Sequence, residues 1–471
     1  MTNSTNIYKE VQRFKTLLAA VWLLLMAAAA CDQPEPSVVE VEVPGVYAFV
    51  NVNVVPMHEE VIHENYTVVV EEGRIVVSGP AEEVEIPDGA HQIDATGRYL
   101  MPGLSEMHGH IPGPNRRQYA KDVLFLYISN GVTLVRNMAG HPYHLELRDR
   151  VNNNEIVGPT IFAASPWLSN NTIAEPANAE DVVREYYEDG FDLMKMGSLS
   201  LDSYRALAEA SREIGLPFAG HIPEEVGLIV ALEEGQMSID HLDRYVEFLA
   251  SGNPDTEGVS PGFFGSAVVH LADEDRIDEA IELTIEAGIW NVPTLSLVEH
   301  LESPQAPEDM AQWPEMRYMP ADVVEGWIES KHNFQSRDDF QPEAARQLVE
   351  IRQKLTHELY NQGALVALGS DAPQFFNVPG FSIHHEMEMM VAAGLTPYEV
   401  LVTGTRNAAL YFDMENEFGT VEEGKVADLI LLNDNPLEDI GNVSDQAGVM
   451  VRGSWWSADK IQEHLDEISN R

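Results

Sequence analysis

The stretch MPGLSEMHGH, residues 101–110, governs how the rest of the chain is read. Side chains two apart on a β-strand point to the same side. His108 and His110, at the end of this apolar run, therefore present two imidazoles together, and imidazole suits zinc and similar ions. A doubly wound open sheet would usually place a glycine-rich phosphate loop after its first strand. Here the strand ends in His-Gly-His instead. Two nearby histidines carry little weight alone, so the argument depends on what the later strands end in.

Working outward, short apolar runs alternate with amphipathic helical stretches, as in a parallel α/β fold. Strands are expected at 99–107, 131–138, 160–165, 191–196, 217–221, 238–242, 289–295 and 364–370, with helices between them such as 203–214 and 224–234. About eight such βα units make a TIM barrel. Lys195 closes the fourth strand (FDLMKMG), His221 the fifth (PFAGH), His241 the sixth (SIDH) and Asp371 the eighth (ALVALGSD). In a barrel those strand ends converge on one point. A lysine inside a packed strand is costly unless its charge is paired or removed. One solution is carboxylation by CO2, giving a group that bridges two cations. The other is a structural ion pair, for instance with Asp371. A lone buried histidine is more often a hydrogen-bonded core residue, but six ligand-type residues at strand ends favour a metal centre.

At both ends of the chain, residues 46–55 and 66–77, then 425–432 and 448–456, have β character, and Glu72-Gly73 sits in the second run just before another apolar alternation. They are expected to form one small β-domain, residues 45–100 with 413–471, into which the barrel of residues 101–412 is inserted. Two stretches exceed plain connections: 251–265, rich in Gly and Pro, and 300–347, carrying Trp313, Tyr318 and Trp327. Most of these aromatics should pack their own loop core, and the longer loop could also cover an apolar group beside the metals. His144, Arg244, Tyr245 and Arg317 lie in loops after strands two, six and seven. They are candidate substrate contacts, the cations for a carboxylate. Surface ion pairing is the equal alternative for each.

These features together resemble the metal-dependent amidohydrolase superfamily. The resemblance rests on MPGLSEMHGH, the fourth-strand lysine, the two later histidines, LGSDAP, LTPYEVLVTGTRNAALYF and EEGKVADLILLNDNP. It implies a TIM barrel flanked by a β-sandwich made from both chain ends. The lysine variant looks like the binuclear subgroup that includes prolidase-like dipeptidases, carboxypeptidase-like enzymes and ochratoxin amidases. By that resemblance His108, His110 and Asp371 hold one ion, His221 and His241 hold a second, and carboxylated Lys195 bridges them. Two metals about 3.5–4 Å apart would share and acidify a water, with Asp371 as general base and then acid. Leu242 stands where glycine is usual after the sixth-strand histidine, and Arg136-Asn137 where Arg-Asp is common.

The expected reaction is hydrolysis of an amide or peptide-like bond, in dipeptides or N-acyl amino acids, with two divalent ions, zinc foremost. One rival is a mononuclear cyclic amidohydrolase or deaminase with His241 as proton shuttle and Lys195 silent. Another is a non-catalytic binding lipoprotein on a decayed barrel, which the six intact positions oppose.

Asp and Glu number 77 against 28 Lys and Arg, a formal net charge of -49. Such a surface repels nucleic acid and anionic headgroups and suits solubility in salt. The single cysteine, Cys31, excludes an intrachain disulfide. It follows a basic start (Lys9, Arg13, Lys15) and the apolar run TLLAAVWLLLMAAAA, shorter than the roughly 20 residues of a membrane span. Residues 1–31 resemble a bacterial lipoprotein signal with Cys31 as lipidation site, although Ala28 stands where leucine is commoner; a plain signal peptide is the alternative. Residues 32–44 (DQPEPSVVEVEVP) resemble an acidic tether. Periplasmic or cell-surface export, anchored through lipid, is the expected location. A homo-oligomer is compatible with the sequence.

Overall fold

The computed structural model describes residues 45–337 and 340–471. The expected signal peptide, Cys31 and tether lie outside the described residues. Among the described residues no helix is long and apolar enough to cross a membrane.

Strands β1 (Val46–Val54), β2 (His63–Glu71), β3 (Arg74–Pro80), β4 (His91–Asp94) and β5 (Tyr99–Pro102) open the chain. The first β-like runs resolve differently from their sequence outline. Glu72 and Gly73, at φ 49° and 77°, split the second run into the β2–β3 hairpin. Two central residues at positive φ define the tight hairpin turn whose twist matches its strands. The expected strand 99–107 is also divided. At Gly103 a Cβ would lie 2.1 Å from Thr133 Oγ1, so only glycine lets the backbone cross there. Before it, β5 pairs with the terminal strands; after it, β6 (Leu104–Gly109) joins the parallel strands.

The parallel strands follow at every expected position. They are β7 (Val132–Asn137), β8 (Thr160–Ala163), the short extra β9 (Leu168–Ser169), β10 (Met194–Ser198), β11 (Phe218–Gly220), β12 (Ser238–Asp240), β13 (Trp290–Val292) and β14 (Leu365–Val366). Helices pack between them; Leu201–Ile214 starts where the Ser200 side chain accepts from Ser203 N and ends at left-handed Gly215. The strands do not form one closed ring. They make a six-stranded sheet, β14-β13-β12-β11-β10-β9, and a three-stranded sheet, β6-β7-β8. One seam carries the Ala164–Leu193 bridge, and the other Met107 N donating to Leu368 O at 2.9 Å. The second seam is thin because β14 has two residues. Beyond it Gly369 packs so close to the first strand that a Cβ would lie 2.8 Å from His108 N.

The C-terminal strands β15 (Leu429–Leu432), β16 (Gln446–Val451) and β17 (Ser454–Ser457) complete the terminal sheet. Arg452 and Gly453, at φ 46° and 80°, make a second tight hairpin. The path is β17-β16-β15-β5-β1-β2-β3, with β4 on β1, so both chain ends share one eight-stranded sheet. A second layer, as a sandwich requires, is not assigned among the described residues. Phe49, Val52, Val68, Val70, Leu100, Leu429, Leu431 and Met450 form the sheet's own buried core.

Candidate active site

The parallel strands run in one direction, so their C-terminal ends share a face: His110, His221 and His241 directly follow β6, β11 and β12, His108 and Lys195 lie within β6 and β10, and Asp371 lies in the segment after β14. That register brings the six candidate ligands into a contiguous group. His108 Nε2 lies 3.0 Å from Lys195 Nζ and 3.7 Å from Asp371 Oδ1. His110 Nε2 lies 2.6 Å from Asp371 Oδ1. His241 Nε2 is 3.7 Å from Asp371 Oδ2, and the His241 ring stacks on the His221 ring at 4.6 Å between centroids.

Three of the four histidines are aimed by a partner on the far nitrogen. His108 Nδ1 faces Asp240 Oδ2 at 2.7 Å, His221 Nδ1 faces Asp243 Oδ2 at 2.9 Å, and His241 Nδ1 meets Thr294 Oγ1 at 2.8 Å. Partners of this kind fix the tautomer and orientation of metal-ligating imidazoles. Asp240 is itself clamped by the buried Arg136, whose Nη2 donates to both carboxylate oxygens at 2.9 and 3.0 Å. Burial works to raise the Asp240 pKa, but Arg136 and Lys195 overcome it and hold the carboxyl below its usual range. Arg136 also donates to Met107 O, Ser238 Oγ and Tyr411 Oη.

Lys195 is buried, at 1% exposure, and among the described residues it forms no ion pair. Burial first of all depresses its pKa, to about 8, against the opposing pull of Asp240 and Asp371. Burial likewise drives His108 and His241 well below the ordinary imidazole value, so both are neutral donors.

The residues fit a divalent cation. One ligand atom each from His108, His110 and Asp371 lies within 4.8 Å of the others. His241 Nε2 is buried without a hydrogen-bond partner, an arrangement that costs stability unless a ligand takes the lone pair. Neutral imidazoles with a carboxylate are a donor set for zinc and similar ions.

The four expected substrate contacts are already engaged within the fold. His144 is buried, with Nδ1 at 2.9 Å from Asn137 Nδ2 and Nε2 at 3.2 Å from Pro112 O; burial holds it down to about 4. Tyr245 Oη sits between Thr284 and Asn291 in the core. Arg244 pairs with Glu247 at 2.6 Å and donates to Ile222 O. Arg317 is exposed and lies over the Tyr318 ring at 4.7 Å. In the long loop, Tyr318 and Trp327 are buried, and Trp327 packs on Phe376.

Several functional-looking residues escaped the sequence reading. Asp240 and Asp243 flank His241 in SIDHLD, and that pattern of carboxylates could have identified them. Glu106 lies two residues before His108. Its Oε1 accepts from His108 N and Ser370 N, joining the first and eighth strand ends, and burial pushes it up to about 8. Arg352, Trp167 and Phe264 come from segments with no ligand-like signal.

The sequence profile of the amidohydrolase family matches residues 99–456. Ochratoxinase of Aspergillus niger is 24% identical over 392 residues, 72% of this chain and 71% of the relative. Among solved structures, a bottromycin amidohydrolase superposes with a TM-score of 0.69 at 20% identity, covering 91% of this chain and 90% of the other. A Xaa-Pro dipeptidase with bound methionine in its active site gives 0.63 at 20% identity, covering 88% of this chain and 100% of the other.

Proposed function

The chain belongs to the amidohydrolase family, and from that premise we propose that it hydrolyses amide or peptide-like carbon–nitrogen bonds at a centre of two divalent ions, zinc foremost. In this reading His108, His110 and Asp371 would hold one ion, His221 and His241 would hold the other, and carboxylated Lys195 would serve both. The observation that carries the reading is Lys195: a buried amine with no ion pair, 3.0 Å from a histidine nitrogen. The structural-lysine alternative needs a carboxylate partner, and Asp371 is engaged by His110 instead. Carboxylation joins the neutral amine to CO2, releases one proton and supplies the missing anionic ligand. The two parallel sheets are read as a (β/α)8 barrel of residues 101–412, with the terminal strands as its companion domain.

Bound there, divalent ions would supply a water of lowered pKa and a Lewis acid for the carbonyl. Asp371 accepts the attacking water's proton and delivers it to the leaving nitrogen. Asp240, Asp243 and Thr294 keep the histidine rings fixed, so that little reorganisation accompanies the reaction.

The substrate class proposed is a dipeptide or N-acyl amino acid with a free carboxylate. A net charge of -49 repels such an anion at long range, so a local cation must hold it; the candidates are the exposed Arg317 and Arg244, which would have to exchange its pair with Glu247 for the substrate. Turnover on N-acyl amino acids, dipeptides and their C-terminal amides tests this. Free acids should be cut in preference, and Arg244→Ala or Arg317→Ala should erode that preference. Equal cleavage of acid and amide in all three proteins would overturn carboxylate recognition and point to lactams or uncharged amides.

Export as a lipoprotein is proposed from residues 1–31 alone. Cys31→Ser should leave the protein active, but fatty-acid labelling and membrane partition should be lost. Label retained in the variant would refute lipidation at Cys31.

A further inference from the structure

Trp167 is half exposed, at 50%, yet it stands beside the metal-ligand group. Its ring centroid is 5.1 Å from that of His221, and Lys195 Nζ is 5.8 Å from its ring. The indole rests against Gly197, two residues after Lys195; a Cβ at Gly197 would come 2.0 Å from Trp167 Nε1. The strand that delivers the lysine thus lacks a side chain where the indole lies.

Next to the other stacked histidine, Phe264 lies with its centroid 5.6 Å from His241. Its φ of 50° is a left-handed conformation that phenylalanine rarely adopts. Gly262 and Gly265 bracket it at φ 74° and 89°, and a Cβ at Gly265 would meet Val246 Cβ at 2.7 Å. The Arg352 guanidinium lies 5.3 Å from the Phe264 centroid. With the 4.6 Å stack of His221 on His241, the rings Trp167, His221, His241 and Phe264 form a chain of successive neighbours whose two middle members are candidate ligands.

We propose that Trp167 and Phe264 are specificity-determining residues, the two ends of an aromatic subsite that holds a planar aromatic group next to the scissile amide. This deepens the amide-hydrolase reading and rests on it for the position of the amide. A large exposed indole is ordinarily a cost in apolar surface left in water; covering it with a flat apolar group recovers that surface and adds ring–ring contact. Phe264 thus shares the left-handed backbone of His241, Thr294 and Asp371 beside it, and such strained positions cluster at ligand clamps. The carboxylate of the substrate is not held here, since these rings offer faces and edges.

The test uses the metal-loaded full chain and two independent readouts. Equilibrium binding of L-phenylalanine and L-alanine is measured by calorimetry, and kcat/KM is measured for N-acetyl-L-phenylalanine, N-benzoyl-L-alanine and N-acetyl-L-alanine. Wild type should favour the aromatic ligand, and at least one aromatic substrate, by about tenfold or more, as burial of one ring allows. Trp167→Ala and Phe264→Ala should each lower that preference severalfold, acting through KM, while Trp167→Phe retains part of it. Metal content and melting temperature report whether a variant has folded. If no substrate is cut but phenylalanine binds preferentially and Trp167→Ala abolishes the preference, the subsite stands and the hydrolase reading falls. If phenylalanine binds no better than alanine, or the preference persists in both alanine variants, the subsite is refuted whatever the turnover.

Discussion

The terminal sheet and the ligand-bearing strand ends both contain left-handed backbone, but they meet its demand with different residues. In the sheet it falls in two hairpins, Glu72-Gly73 and Arg452-Gly453, where glycine supplies the second position, and at Asn51 and Asn65 within β1 and β2, where asparagine tolerates it. At the strand ends it falls on His241, Leu242, Arg244, Thr294 and Asp371, at φ 61°, 45°, 68°, 48° and 63°. Glycine would relax each of these, and none of the five has it, although at the fifth strand end Gly220, directly before His221, does supply it at φ 114°. Two of the five are candidate ligands, a third, Thr294, orients one of them, and neighbouring groups hold the conformation. Arg352, fully buried, donates to the His241 carbonyl. Asn377 Nδ2 donates to Ser370 O at 2.7 Å, just before Asp371. The difference teaches that the sheet is built for stability, whereas the strand ends keep side chains the chemistry needs in conformations their surroundings must enforce.

That contrast predicts where substitutions cost activity and where they cost only stability. The largest effect should come from Asp371→Ala, with kcat/KM down about a thousandfold or more and loss of bound metal, while the melting temperature of the metal-free protein changes little. Near-normal turnover would remove Asp371 from the mechanism. Next, Asp240→Ala leaves the Arg136 guanidinium buried without its partner and frees the His108 ring. Denaturant unfolding should show a loss of about 3–5 kcal/mol, together with weaker metal binding. A loss below 1 kcal/mol (on the order of an exposed pair) would mean that the clamp is not what orders the site.

In the terminal sheet the same kind of experiment should split activity from stability. At Gly73 an added Cβ would lie 2.9 Å from Arg452 O, in a left-handed turn, so Gly73→Ala should cost about 1–2 kcal/mol with kcat unchanged. Altered metal content in that variant would blur the two regions into one. The smallest effect is expected at the exposed Arg74–Glu417 pair, 2.9 Å apart: Arg74→Ala should cost about 0–1 kcal/mol by the same unfolding assay.

Much of this arrangement was legible in the sequence because the parallel strands are apolar runs that end in a ligand-type residue. Lys195 stood out for one reason: an amine has no business in an apolar strand unless its charge is dealt with. The terminal strands were legible as β, and Glu72-Gly73 stood out before a further apolar alternation, but the Arg452-Gly453 hairpin was not legible, since that turn sits inside an otherwise apolar run. Closure of the ring was expected from strand count alone, yet it depends on how far β14 runs, and Gly369 ends it early against the first strand. His144 and Tyr245 looked available because loops are usually exposed; their nitrogens and hydroxyl are taken up by Asn137, Pro112, Thr284 and Asn291. Trp167, Phe264 and Arg352 gave no local signal. Their significance comes from neighbours distant in sequence, which periodicity and spacing do not reveal.

The central claim is a two-ion centre bridged by carboxylated Lys195. It is tested most directly by metal analysis of active protein combined with carbon-13 NMR after equilibration with labelled bicarbonate. The account predicts two divalent ions per chain and a carbamate resonance, both lost in Lys195→Ala, with partial recovery of metal and activity on adding short carboxylic acids. One ion per chain in fully active protein, with no carbamate signal and Lys195→Ala nearly unimpaired, would contradict it and favour the mononuclear alternative.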